Sequence, residues 1–159
     1  MIYVVGIGPG SKDMMTLEAI KAMENADVIV GYKTYINLIT EFIQDKEVVS
    51  NGMRQEIDRC KRAVEIAKEG KTVAVISSGD AGIYGMAGLI LELTAKEKTE
   101  VPVKVVPGVT ASIGAAAILG APIMHDFCHI SLSDLLTPWE VIEKKAKISC
   151  RSWLCSLFI

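Results

Sequence analysis

The chain has 159 residues, half of them hydrophobic, enough for one domain with a core and too few for two full ones. Its formal net charge of −2 excludes bulk electrostatic binding to nucleic acid or an anionic membrane, so an anionic ligand has to be met by local Lys or Arg. Cysteines stand at 60, 128, 150 and 155 with no CxxC pair, and the sequence opens on an apolar run with no visible signal peptide. Reduced thiols in a cytoplasmic protein are the expectation. Residues 105–124 carry no charge, but Pro107, Pro122 and three glycines interrupt them. That pattern predicts a buried helix rather than a membrane span, which needs about 20 uninterrupted apolar residues.

In chain order, residues 2–7 are apolar and rich in β-branched side chains, and predict a buried strand. Gly6, Gly8, Pro9 and Gly10 then break the chain. Leu17, Ile20 and Met23 recur at helical spacing over 17–25, with Thr16 as N-cap. Val28, Ile29 and Val30 predict a second strand ending at Gly31. A short helix over 35–43 and a short strand over 47–49 follow. The clearest helix covers 54–69, with Ile57, Cys60, Val64 and Ala67 as its apolar stripe and Gly70 as its stop. Residues 72–76 predict a third buried strand, and 83–94 a helix. The charged run 96–100 is a solvated loop. Residues 103–106 predict another strand, and 110–119 another helix. Strands alternating with helices imply an α/β fold, a mostly parallel sheet with helices on both faces.

This first domain is expected to cover 1–121, with a linker over 122–128. Residues 129–133 then predict a strand and 138–147 a helix, as the start of a truncated second α/β domain over 129–147. Residues 148–159 hold two cysteines, a Trp, one Arg and no acid. They show neither a strand pattern nor the turn chemistry that follows a helix. They are expected to be an aberrant tail left by truncation or a frameshift, since an exposed tail of this kind favours aggregation. A genuine apolar tail packed on the domain is the alternative.

In open α/β sheets, ligands sit beyond the carboxyl ends of strands. Three Gly-rich turns follow strands directly, at 6–10, 78–85 and 107–111. The first is not a dinucleotide-binding fingerprint, because position 11, where the third Gly would stand, is Ser11. One such turn is weak. Three in consecutive strand–helix units point to a single cleft.

G-I-G-P-G at 6–10, M-T-L-E-A at 15–19 and A-D-V-I-V-G at 26–31 resemble the opening of the tetrapyrrole methyltransferases. S-G-D-A-G-I-Y-G at 78–85 resembles that family's second loop, and V-P-G-V-T-A at 106–111 its third. Ala81 departs from the pattern, since many members carry Pro there. The likeness covers about the first 125 residues. The stretch H-D-F-C-H-I-S-L-S-D-L-L-T-P-W at 125–139 is similar to the cobalamin-pathway branch. It implies methyl transfer to carbon-17 of precorrin-3B or cobalt-factor III, with contraction of the macrocycle. Another precorrin as acceptor, or a non-catalytic dimerising or substrate-holding fragment, are the competing readings.

The resemblance implies S-adenosyl-L-methionine as cofactor, contacted by Pro9, Ser78, Gly79, Asp80, Ile83, Thr110 and Ala111. It also implies a homodimer. Asp80 can accept from the cofactor's ribose or amino group; its competing role is an N-cap of the following helix. Gly8, Gly10 and Lys12 are candidate substrate contacts, and Lys33 and Arg54 further cations for the tetrapyrrole's carboxylates. Methyl transfer needs orientation more than acid–base chemistry, so no catalytic triad is expected. His125 and His129 are the candidate catalytic residues, facing the tetrapyrrole as acid–base groups or as contacts to its central metal. No protein-bound metal is expected from His125, Asp126, Cys128 and His129, because Cys128 points away from both histidines in a strand.

Overall fold

A computed structural model of the chain describes residues 1–134, 137–151 and 155–158. The chain divides into two compact units, Met1–Thr110 and Ala111–Ile159.

The first unit is a five-stranded sheet with its strands parallel, flanked by helices. The strands are β1 (Ile2–Gly6), β2 (Val28–Tyr32), β3 (Glu47–Asn51), β4 (Val73–Ser77) and β5 (Val103–Val106), in the order β3-β2-β4-β1-β5. The helices are α1 (Leu17–Asn25), α2 (Lys33–Leu38), α3 (Glu56–Lys68) and α4 (Ala87–Lys96). Both faces of the sheet are covered, so its central strands read as continuous apolar runs. Alternation sorts their side chains: Val4, Val30 and Val75 pack with Cys60, Val64 and Ile90 of α3 and α4. Val5, Ile29 and Ile76 pack with Ala19, Met23 and Ile36 of α1 and α2. The strand order matters for function. β4 and β5 flank β1, with Val5 opposite both Ile76 and Val106. The three Gly-rich turns that follow these strands therefore emerge side by side.

Local chemistry explains the boundaries. Thr16 caps α1, its hydroxyl accepting from the Ala19 N–H at 3.1 Å. The helix expected over 35–43 instead starts at Lys33 and tightens to a 3-10 turn at Thr40–Phe42, which keeps Ile36, Ile39 and Ile43 all buried. β2 runs through Gly31 to Tyr32 rather than stopping at the glycine. The helix expected over 83–94 begins only at Ala87. Tyr84, at φ +53°, lies in the left-handed region and cannot belong to it. The buried stripe of α3 is also wider than expected. It takes in Arg59, Ala63 and Ile66, while Ile57 is 55% exposed.

The second unit holds α5 (Ala111–Ile118), β6 (Phe127–Ile130), α6 (Trp139–Arg151) and β7 (Cys155–Phe158). β6 and β7 pair in parallel, His129 opposite Leu157, with α6 as the crossover. β6 starts at Phe127, before the expected residue 129, and stops at Ile130. Beyond it the Ser133 N–H donates to Ser131 Oγ in a local turn. The absence of a strand pattern in 148–159 is corrected: α6 continues to Arg151 and 155–158 form β7. Four residues are too short a run for two-residue periodicity to register. The expected tail's Trp153 lies outside the described residues, as do Leu135 and Leu136 of the 125–139 stretch. No helix among the described residues is long and apolar enough to cross a membrane. The uncharged stretch 105–124 contains the end of β5 and the eight-residue α5.

Candidate functional site

The turns after β1, β4 and β5 form a cradle held together by backbone. The Ile7 N–H donates to Ser77 O at 3.0 Å and the Gly8 N–H to Gly79 O at 2.9 Å, while Gly8 O accepts from the Val109 N–H at 3.3 Å. Side chains cannot enter these contacts. A Cβ on Gly8 would lie 2.1 Å from Val109 O and 2.4 Å from the Gly79 Cα. One on Gly108 would lie 2.3 Å from Gly79 O and 2.6 Å from Gly6 O. These glycines therefore serve the approach of loop to loop.

Asp80 ties two of the loops together. Its Oδ1 accepts from the Gly82 and Ile83 N–H groups at 2.8 and 3.0 Å. Its Oδ2 accepts from the Gly108 N–H at 3.0 Å. The Asx-type turn holds 78–83 out of the helix, so Asp80 is not the N-cap; Met86 stands there. A carboxylate has about four lone-pair sites, so three backbone donors leave room for a ligand donor.

The other expected cofactor contacts divide between the units. Pro9, after a cis peptide bond, and Ser78 are exposed, Gly79 sits at φ +57°, and Ile83 is half-buried. Thr110 is 6% exposed, yet its hydroxyl has no partner among the described residues. Ala111 is exposed and opens α5 in the second unit. Of the expected substrate contacts, Gly8 is buried with its amide and carbonyl engaged. Gly10 is half-buried at φ +127°. Lys12 is exposed and paired with Glu41 at 2.7 Å, over the Phe42 ring. Hydrogen bonding to Glu41 and its charge raise the Lys12 pKa. Lys33 and Arg54 are exposed.

In the second unit His125 is exposed, whereas His129 is half-buried, its Nε2 2.6 Å from Ser112 Oγ and its ring edge-on to Phe127. Cys128 Sγ lies 4.0 Å from Ser156 Oγ.

One part of the first unit went unread in the sequence. A pocket of about 200 Å³ opens beside the cradle, walled by Tyr32, Tyr35, Met53 and Tyr84, with Arg59 and Ser77 also lining it. Arg59 is 4% exposed. Its signal was present in the pattern: Arg59, Ala63 and Ile66 are spaced as one buried helical face. The apolar stripe expected at Ile57, Cys60, Val64 and Ala67 leaves Arg59 out.

A parallel α/β sheet with three converging Gly-rich loops defines a ligand-binding domain of the open-sheet class. The chain belongs to the tetrapyrrole (corrin/porphyrin) methylases, whose family model matches residues 1–150. Over 145 residues it is 63% identical to the probable cobalt-factor III C(17)-methyltransferase of Salmonella typhimurium. That match covers 91% of this chain and 60% of the relative. The crystal structure of the methyltransferase CobJ matches with a TM-score of 0.92 at 38% identity, over 99% of this chain and 66% of that one. A uroporphyrin-III C-methyl transferase from Thermus thermophilus, complexed with S-adenyl homocysteine, matches with a TM-score of 0.64 at 27% identity. That match covers 82% of this chain and 58% of that one.

Proposed function

We propose that this chain carries the cradle of an S-adenosyl-L-methionine-dependent C-methyltransferase acting on carbon-17 of cobalt-factor III or precorrin-3B, with ring contraction, in cobalamin biosynthesis. The observation that carries the reading is the 63% identity to the Salmonella protein of that name. The chain spans 60% of that relative's length, so the activity is that of the whole family protein. The 159 residues by themselves are expected to be weak or inactive. A homodimer in the cytoplasm completes the proposal, supported by the family resemblance and by cysteines that form no CxxC pair.

The cradle fits the cofactor chemically. The Thr110 hydroxyl, without a partner among the described residues, offers a polar contact, Ile83 an apolar one, and the Asp80 carboxylate a negative charge suited to a cationic ligand. Pro9, Ser78, Gly79 and Ala111 complete the proposed set. When bound, the cofactor supplies an electrophilic methyl group. The protein's part is to orient. Glycine-locked backbone fixes the cradle's geometry, and fixed orientation is worth up to about 7–11 kcal/mol of barrier. Gly8 supports the first loop from inside, and Gly10 and Lys12 present its outer edge to substrate. His125 and His129 are proposed to move protons during ring contraction. Ser112 fixes the orientation of the His129 ring.

Methyl transfer from isotopically labelled cofactor to purified cobalt-factor III and precorrin-3B tests the reading, with a full-length protein that carries this chain run beside the Salmonella relative. Label in either tetrapyrrole is the expected result; label only in another precorrin would move the acceptor. In a full-length protein, His125→Ala and His129→Ala should leave cofactor binding by calorimetry intact and lower turnover. Unchanged turnover removes the histidines from the mechanism.

A further inference from the structure

The pocket beside the cradle holds a positive charge with no ionic partner among the described residues. Arg59 is 4% exposed, so its guanidinium has lost most of its water. Its Nε donates to Asn51 Oδ1 at 2.7 Å and its Nη2 to Gly52 O at 3.1 Å, and the group lies 5.9 Å from the centre of the Tyr32 ring. These partners are neutral. No carboxylate lies within ion-pair distance of Arg59 among the described residues. Buried charges are ordinarily paired, because desolvation costs several kcal/mol. A guanidinium carries five N–H donors in a fixed fork, and Nη1 is uncommitted among the described residues. The two bonds that exist clamp the fork to the turn after β3, so it is preorganised and not adaptable.

We propose that Arg59 is a carboxylate-binding residue that takes one acidic side arm of the substrate, a point that rests on the tetrapyrrole reading above. The pocket's size and walls define the ligand. About 200 Å³ is smaller than the roughly 300–1,000 Å³ of pockets that enclose a whole drug-sized ligand, so an arm enters and the ring stays outside. Tyr32, Tyr35, Tyr84 and Met53 offer apolar and aromatic surface to a methylene chain and a ring edge. Glu56 also lines the pocket, is exposed, and makes no ion pair among the described residues. Lys12, a cation expected to hold the substrate, is already paired with Glu41. Among the described residues, Arg59 is the buried cation without a counter-ion.

Two probes test this on the purified chain. The first is uroporphyrin III, which carries eight carboxylates, beside its octamethyl ester, both followed by porphyrin fluorescence. The second is glutarate, followed by the ¹⁵N NMR signal of Arg59 Nε. Arg59→Gln should weaken the acid porphyrin about ten-fold or more, the scale of a lost charge-assisted bond, and leave the ester unchanged. Arg59→Lys should recover only part of the loss, since a lysine lacks the fork. Asn51→Ala removes a brace while keeping the charge, and should cost less than Arg59→Gln. Glutarate should shift the Arg59 signal saturably. If the porphyrin binds and neither Arg59→Gln nor glutarate has an effect, the proposal is overturned while the tetrapyrrole reading stands. Equal losses for acid and ester also overturn it, because Arg59 would then be structural. A saturable glutarate shift without porphyrin binding keeps the carboxylate site and removes the tetrapyrrole reading. No response to either probe overturns both.

Discussion

The cradle and the Arg59 pocket lie in one unit, yet they are built in opposite ways. The cradle is backbone on backbone: Gly8 against Gly79 and Val109, and Gly108 against Gly6 and Gly79. The pocket is side chain on side chain, from the end of β2, the start of α2, the turn after β3, the first turns of α3 and the loop 78–86. A backbone cradle depends on what is missing from its residues. A side-chain pocket depends on what is present, and on the helix that presents it. Substitutions should therefore act differently in the two places: by forcing loops apart in the first, and by removing a contact in the second.

The largest effect tests the cradle. Gly8→Ala places a methyl group 2.1 Å from a backbone oxygen, and no flexible side chain stands there to yield. The loops must separate, at a cost of about 3 kcal/mol or more, beyond ordinary overpacking. Urea denaturation checks it. Gly88→Ala is the matched control: it lies on α4, exposed, with nothing within 4 Å of the new Cβ. There the same change should stabilise by about 0.5–1 kcal/mol through helix propensity. Equal responses at the two glycines would break the distinction drawn above.

Asp80→Asn comes next. The amide nitrogen cannot accept, so either the Gly108 bond or the Gly82–Ile83 pair is lost. The group is only half-buried, which holds the cost to about 1–3 kcal/mol. Amide hydrogen exchange should locate the loss, with Gly108 or Gly82 exchanging faster and the β4 amides little changed. Loss of protection throughout the sheet would show that Asp80 supports the whole unit rather than two of its loops.

This contrast also explains what the sequence discloses. The cradle was legible because glycine has no other reason to recur directly after three strands. The motifs at 6–10, 78–85 and 107–111 marked the place, and the strand order β4-β1-β5 brings them together. The motifs marked the cradle's place but not the glycines' part in it, which is the close approach of neighbouring loops. The pocket was not legible. Its members are spread from Tyr32 to Met86, and apart from Ser78, Tyr84 and Gly85 of the 78–85 loop none lies in a motif. Arg59 was hidden by its type: a charged residue in a helix with charges on its outer face is assigned to that face. Only the stripe's true width, from Arg59 round to Ala67, shows that it turns inward. Helix starts failed for a related reason. Residues 83–86 read as helix, but the Asp80 turn and the left-handed Tyr84 hold them as loop. β7 failed because four residues carry too little pattern.

The smallest expected effect tests the pocket's dependence on α3. Cys60 follows Arg59 on that helix and is fully buried against the sheet. Burial pushes its thiol up from the usual 9.0 to about 12, with the Arg59 guanidinium pulling weakly the other way. The folded chain therefore holds a proton that the unfolded chain releases between those values. Stability from this group is constant below pH 9.0, and falls as pH rises from there towards about 12. At neutral pH the thiol is protonated and shielded, and a thiolate is needed for reaction. In a disulfide-exchange assay with an aromatic disulfide, the exposed Cys150 should react fast. Cys60 should contribute only a slow phase, which vanishes in Cys60→Ala and accelerates in mild urea. A fast native phase lost in Cys60→Ala would mean that α3 leaves the sheet readily. An Arg59 carried by so mobile a helix could not be preorganised, and the pocket would then be formed by its ligand instead of awaiting it.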